Sequence, residues 1–145
     1  ASMSVIDKDY ADSLGVKSSG NVKGFGFGAN FDLQFVTIPS FSIQGVEFGK
    51  QKIFSFANLV EKFHEPVCFG ILGYDFLSRF VVKIDYANQK FSIYDPIHFK
   101  YSGNGTIIDA PLKSRTFTIP MTVDNKYSGR WSIDLGSFNT SFYFL

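Results

Sequence analysis

Sulfur and imidazole are scarce in this chain. The single cysteine, Cys68, cannot close an internal disulfide, and the two histidines, His64 and His98, share no ligand spacing. Neither a disulfide framework nor a zinc cluster is therefore written into the sequence, and no metal or organic cofactor is expected. Cys68 stands beside Phe69, Ile71 and Leu72 and reads as a small apolar residue, not a nucleophile. Charge of one sign is lacking as well. The 14 basic and 13 acidic side chains leave a net of +1, without a run of either sign. That excludes the clustered Lys/Arg footprint of a nucleic-acid or membrane-surface binder. No apolar run approaches the ~20 residues that a membrane span requires.

Aromatic residues are plentiful, with 18 Phe, 7 Tyr and 1 Trp among 145 residues, and 13 glycines accompany them. Alternating apolar and polar positions make this an all-β composition with a core. Ser4 to Leu14 predicts one short helix capped by Asp7 or Ser4, with Ile6, Tyr10 and Leu14 on one face and Gly15 ending it. Ser18 to Gly20 predicts a turn. Gly24-Phe25-Gly26-Phe27-Gly28 lacks the lysine-serine and helix start of a phosphate loop and suits a β-hairpin whose tip closes over a ligand; an ordinary hairpin crossing a close neighbour fits equally. Antiparallel strands are expected at Phe31–Phe35, Phe41–Ile43, Val46–Phe48 and Ile53–Phe56, and Asn58 to Glu65 predicts a helical turn.

A short apolar strand then ends at Gly73, and Asp75 reads as the cap of a helical turn Phe76–Arg79, not as a catalyst. Phe80, Val82 and Ile84 alternate, Ala87-Asn88-Gln89 turns the chain, and Phe91 and Ile93 complete a hairpin. Ser102-Gly103-Asn104-Gly105 is the best linker candidate. Beyond it, Phe117, Ile119, Met121 and Val123 alternate with Thr116, Thr118, Pro120 and Thr122, and Pro120 implies an open edge. A turn at Asp124–Gly129 leads to a strand Trp131–Asp134.

That last strand runs into a carboxylate. Asp134 is succeeded by Leu135, then by Gly136, which permits a turn a β-carbon would obstruct, and by Ser137, whose hydroxyl can donate to a carboxylate oxygen. Most aspartates at strand ends only start a turn. The arrangement is nevertheless how half of a two-carboxylate hydrolytic site would be built.

Gly70-Ile71-Leu72-Gly73-Tyr74-Asp75-Phe76-Leu77-Ser78-Arg79-Phe80, with Ile84-Asp85-Tyr86 and a hairpin after it, resembles the second signature of the retropepsin-like aspartic proteases, specifically the bacterial two-lobed kind. In that family a glycine-containing strand (here Ile71, Leu72 and Gly73) threads beside the catalytic loop. Gly24 to Gly28 is similar to the family's flap, and Ile133-Asp134-Leu135-Gly136-Ser137 to its apolar-Asp-Thr/Ser-Gly motif. Ala1-Ser2-Met3-Ser4-Val5-Ile6-Asp7 resembles the segment just C-terminal to such a motif. The resemblance implies an acid-protease barrel with a flap and short helices. It also implies aspartic endopeptidase activity on an extended peptide, with an extracytoplasmic, periplasmic or secreted setting favoured.

Two departures stand out. Leu135 replaces the Thr or Ser whose hydroxyl normally bonds across the two lobes, and leucine can do neither half of that bond. The catalytic-type loop also comes last in the chain. The expected organisation is a lobe at 1–98 lacking its own catalytic strand, a linker at 99–106, and the opening hairpin and Asp-x-Gly loop of a second lobe at 107–145. A single lobe in which Asp134 loops back beside Ala1 is the alternative. In either arrangement the second carboxylate must come from a segment before Ala1 or from a second copy of the chain. An isolated monomer is then expected to be inactive. Rival expectations are a non-catalytic peptide-binding or subunit-pairing module, which Leu135 favours, and a small-ligand carrier barrel with a closed cavity.

Overall fold

A computed structural model describes residues 2–26, 29–59, 68–113 and 116–134. In chain order the first strands are β1 (Val5–Asp7), β2 (Ser18–Gly26), β3 (Ala29–Ile38), β4 (Phe41–Ile43), β5 (Val46–Phe48) and β6 (Gln51–Phe56). After them come β7 (Gly70–Ile71), β8 (Val81–Asp85), β9 (Lys90–Tyr94), β10 (Leu112–Lys113), β11 (Thr116–Val123) and β12 (Tyr127–Ser132). The short helices α1 (Lys8–Ser13) and α2 (Tyr74–Leu77) interrupt them. A five-stranded sheet runs β2-β3-β6-β1-β7, a three-stranded sheet runs β10-β11-β12, and β4-β5 and β8-β9 are separate hairpins. The all-β expectation holds. The sheets end on open edges, so no closed barrel forms among the described residues.

The opening segment is where sequence and structure part first. The apolar pattern places Val5 and Ile6 on a helix, yet they form β1, wedged parallel to β6 and antiparallel to β7. β-branched side chains are stiff in a helix and pack well on a pleated surface, which is the choice made here. The helix starts only at Lys8. Asp7 caps it as anticipated, its Oδ1 accepting from the Asp9 and Tyr10 amides at 3.0 and 3.1 Å, and Gly15 succeeds the C-terminal turn at φ +71°. The buried face differs from the expected one. Ala11 is fully buried, while Tyr10 and Leu14 are exposed.

Ile6, Ala11, Val36 and Ile53 form the core between β1, α1, β3 and β6. The parallel β1–β6 pair departs from the all-antiparallel expectation. The expected turn at Ser18–Gly20 is a bulge within β2, where pairing to β3 slips between Ser19 and Val22 and Gly20 takes φ +65°. A bulge of this kind keeps both ends of a long strand in one ladder while bending it. Gln44 and Gly45, both at positive φ, make the tight turn between β4 and β5. Phe48 of that hairpin lies edge-on to Phe76 and Phe80, with ring centroids 5.1 and 5.8 Å apart, and this holds the hairpin against α2. The predicted helical turn at Asn58–Glu65 lies mostly outside the described residues; of its inward positions, Leu59 is fully buried.

The β8–β9 hairpin matches its prediction, and Asp85 fixes its turn by accepting from both the amide and the side-chain nitrogen of Asn88 at 3.0 Å. Residues 99–111, which include the linker candidate, carry no regular element. Gly103 and Gly105 wrap the Tyr101 hydroxyl there, which accepts from the Gly105 amide at 3.0 Å. The next hairpin turns at Asp124 and Asn125, both left-handed, so β12 begins earlier than the predicted Asp124–Gly129 turn allows. It also ends at Ser132, leaving Ile133 and Asp134 beyond the strand. Burial at the start of β11 departs from the apolar alternation: Thr118 is buried and Phe117 exposed, whereas farther on Ile119 and Val123 are half-buried and Pro120 and Thr122 exposed. The reason is local. The Thr118 hydroxyl donates to the Pro111 carbonyl at 3.2 Å and accepts from Arg130 at 2.7 Å, so the 109–111 segment covers that face. Pro120 lies past the reach of β10, which pairs only with Thr116 and Phe117, and the edge there is open as expected.

Candidate functional site

Ser4, immediately before β1, is the node from which the site is built. Its carbonyl accepts from the Phe54 amide at 3.1 Å and so extends the β1–β6 ladder by one residue. Its hydroxyl accepts from the Gly73 amide at 2.9 Å and donates to Asp75 Oδ1 at 2.7 Å. Its own amide donates to the same carboxylate oxygen at 2.8 Å. Ser4 is buried, and every polar group it carries has a partner. This satisfies the requirement that desolvated donors and acceptors be paired.

Gly73 makes that junction sterically feasible. A β-carbon built on it would stand 2.3 Å from the Met3 carbonyl carbon, 2.6 Å from the Met3 oxygen and 2.7 Å from the Ser4 nitrogen. Its φ of −93° is ordinary, so the demand for glycine here is one of space and not of backbone conformation. The Ile71-Leu72-Gly73 run therefore crosses directly over Met3-Ser4. Gly73 also caps α2, its carbonyl accepting from the Phe76 and Leu77 amides at 3.1 and 3.0 Å.

Asp75 does not cap α2, contrary to the sequence expectation. The N-cap is Gly73, without a side-chain cap bond, and the Asp75 carboxylate reaches across the junction to Ser4. Two donors on one oxygen give a charge-assisted tie between residues 71 positions apart. Sequence reasoning misses both Ser4 and Asp75 as partners. The signal lies in a hydroxyl just before one strand and a carboxylate two residues after a glycine, and nothing local connects them.

Asp134 is exposed and stands just beyond β12. The preceding Ile133 amide donates to the Phe117 carbonyl at 2.9 Å, so the main chain one residue before the carboxylate is tied to β11. The Phe117 ring in turn meets Tyr74, the residue after Gly73, edge-on at 6.2 Å between centroids and 70° between planes. Through these contacts the hairpin carrying Asp134 reaches the Gly73 segment. Leu135, Gly136 and Ser137 lie outside the described residues. Of the proposed flap, Gly24, Phe25 and Gly26 pair with Phe31, Asn30 and Ala29 in the β2–β3 ladder, and Phe27 and Gly28 lie outside the described residues.

A cavity of about 590 Å³ lies between β1, β4, β6, β7 and α1, with Ile6, Phe41, Ile53, Ile71 and Leu72 in its wall. It takes in part of the Ile71–Gly73 run, but neither Gly73 nor Asp134 is among its described lining residues. Half-buried Cys68 lines the same cavity. His98 is surface-bound to Asp95 through Nδ1 at 2.6 Å. Among the described residues no group of three or more His, Cys, Asp or Glu side chains is arranged to hold a metal ion. No helix among them is long and apolar enough to cross a membrane. Of the other carboxylates, Asp12 pairs with Lys8 along α1. Asp85 is held below the usual carboxylate range by the Asn88 side chain and amide. Both are structural.

The site thus consists of a serine–aspartate node at a strand crossing, approached by a hairpin that ends in an exposed aspartate. Compared with protein-family models, with curated proteins and with solved structures, the chain matches none of them.

Proposed function

We propose that this chain is part of an aspartic endopeptidase of the retropepsin-like kind, cleaving extended peptides with a water held between two aspartates. The observation that carries the reading is the crossing of Gly73 over Met3-Ser4, whose main chain comes within 2.3 Å of where a Gly73 β-carbon would sit. The resemblance calls for a glycine-bearing strand beside the catalytic loop, and Met3-Ser4 falls in the stretch similar to the family's segment C-terminal to that loop. The open sheets are then parts of a barrel completed elsewhere, with a lobe at 1–98, a linker at 99–106 and the start of a second lobe at 107–145.

In this reading Asp134 polarises the lytic water, Gly136 shapes the loop and Ser137 biases the carboxylate. Two carboxylates a few ångströms apart cannot both ionise easily, so one serves as base and its partner as acid. Asp134 supplies one of them. A segment preceding residue 1, or a second copy of the chain, supplies the other. The β2–β3 hairpin with Gly24 to Gly28 at its tip covers the substrate, whose main chain binds as an added strand.

The test is peptidase turnover. The monomeric chain is expected to be inactive, the protein supplying a second carboxylate active, and Asp134→Asn in that protein slower by orders of magnitude. Equal turnover with and without the Asp134 carboxylate would end the reading. Leu135 favours a second one, a peptide-binding module of the same fold without catalysis. That reading expects peptide binding that Asp134→Asn leaves intact, with no hydrolysis in any form of the protein.

A further inference from the structure

We propose that Tyr74 is a positioning residue, the post on which the β10–β12 sheet docks beside the Gly73 crossing, and through which the Ile133 main chain preceding Asp134 is held. Tyr74 is the first residue of α2 and comes directly after Gly73, whose amide and carbonyl are both engaged. Its own carbonyl accepts from the Ser78 amide at 2.9 Å. The backbone beneath the ring is thus fixed by the strand crossing. The ring meets Phe117 edge-on at 6.2 Å, and the Phe117 carbonyl holds the Ile133 amide at 2.9 Å. A short path of contacts leads from Ser4 through Gly73, Tyr74 and Phe117 to Ile133, the neighbour of Asp134.

The chemistry of the contact is that of the ring. Among the described residues the Tyr74 hydroxyl has no hydrogen-bond partner, so phenylalanine should serve in its place. The ion pairs Lys8–Asp12, Lys23–Asp32 and Asp95–His98 each lie within one part of the molecule and add nothing across this junction. Edge-on ring pairs are individually modest. One such pair accounts for about a two- to tenfold preference for the docked arrangement. The docking of the β10–β12 sheet thus includes a contact weak enough to be tuned. Docking itself stands on these contacts; its effect on turnover rests on the peptidase reading.

Trp131 is the chain's one tryptophan and pairs with Ile119, placing it on the face of the β11–β12 ladder that also bears Phe117. Its emission and its quenching by acrylamide report docking. Tyr74→Phe should match the parent chain, whereas Tyr74→Ala should expose Trp131, the undocked fraction rising about two- to tenfold. Phe117→Ala removes the contact from the other side and should do the same, which covers the case in which Tyr74→Ala fails to fold. Unchanged quenching in a folded Tyr74→Ala or Phe117→Ala chain overturns the proposal, as does a Tyr74→Phe chain that behaves like Tyr74→Ala. In the protein that shows turnover, Tyr74→Ala should lower kcat about two- to tenfold with KM unchanged, and Tyr74→Phe should restore it. Should no form hydrolyse peptide while Trp131 still responds, the peptidase reading fails and docking stands.

Discussion

Replacing Gly73 with alanine adds one methyl group where there is no room for it. The new carbon would lie 2.3, 2.6 and 2.7 Å from main-chain atoms of Met3 and Ser4, and backbone cannot swing aside as a side-chain tip can. Relief requires β7 and the segment before β1 to separate. That loosens the Gly73–Ser4 hydrogen bond of 2.9 Å and the Ser4–Asp75 pair of 2.7 and 2.8 Å. Overpacking strain alone costs about 1–3 kcal/mol. Weakening the neutral hydrogen bond adds about 1 kcal/mol, and each bond to the carboxylate about 1.5–3 kcal/mol if lost outright. Partial relaxation brings the expected total to about 3–5 kcal/mol, a large share of the ~5–15 kcal/mol that stabilises an ordinary domain. Urea denaturation monitored by far-UV circular dichroism measures it. Gly129 and Gly49 have nothing within 4 Å of a built β-carbon, and alanine at either is the control. A Gly73→Ala chain within about 0.5 kcal/mol of those controls, inside the usual range for surface substitutions, would refute the crossing geometry.

Asp7→Ala should destabilise by about 2–4 kcal/mol, because it removes the α1 cap and leaves the buried Leu59 amide, now donating to Asp7 Oδ2 at 3.1 Å, without its acceptor. Denaturant midpoints read this, and Asp7→Asn should recover part of the loss. Ser4→Ala removes the hydroxyl bonded to both Gly73 and Asp75, so it should cost about 2–3 kcal/mol in the same assay, several times more than Ser13→Ala at the exposed end of α1. Asn88→Ala should let the Asp85 pKa rise toward its ordinary value, a shift that carboxyl NMR titration detects. Linkage sets the sign. A carboxylate held low in the fold contributes stability that is present above its unfolded pKa and lost as pH falls through the folded one, so the variant should lose its advantage at neutral pH and differ least in strong acid.

Hairpins are the most legible feature of the fold. Alternation marks β2–β3, β8–β9 and β11–β12, because a half-buried strand repeats every second residue, and the β11–β12 turn uses residues tolerant of positive φ, Asp124 and Asn125. What alternation cannot supply is a strand too short to show it. β1 has three residues and β7 two, and their identity as strands is decided by what lies on either side of them in space. Val5-Ile6, next to a genuine helix start, accordingly reads as part of the helix. The bulge at Gly20 reads as a turn for a related reason: a positive-φ glycine satisfies either role, and only the pairing of Ser19 and Val22 with the same neighbour separates them.

The site divides along the same line. Gly73 is singled out by the resemblance of its apolar-apolar-glycine run to a family signature whose glycine-bearing strand passes close beside another segment. What approaches it cannot be read, since Met3 and Ser4 are distant in sequence. Asp75 shows why local rules misassign such residues. A carboxylate in the first turn of a helix satisfies the capping pattern and the helix dipole alike, so proximity in sequence argues for a cap. The competing partner is Ser4, which presents two donors, one of them a main-chain amide that a buried strand end must satisfy. The Phe76 and Leu77 amides of α2 have the Gly73 carbonyl instead. The carboxylate therefore goes where the desolvated donors are, and the loss on removing it falls on the strand crossing rather than on the helix. Asp75→Asn retains Oδ1, the oxygen that accepts both donors, and loses only its charge, so it should weaken the crossing less than Asp75→Ala does. Equal losses in the two variants would return Asp75 to the helix.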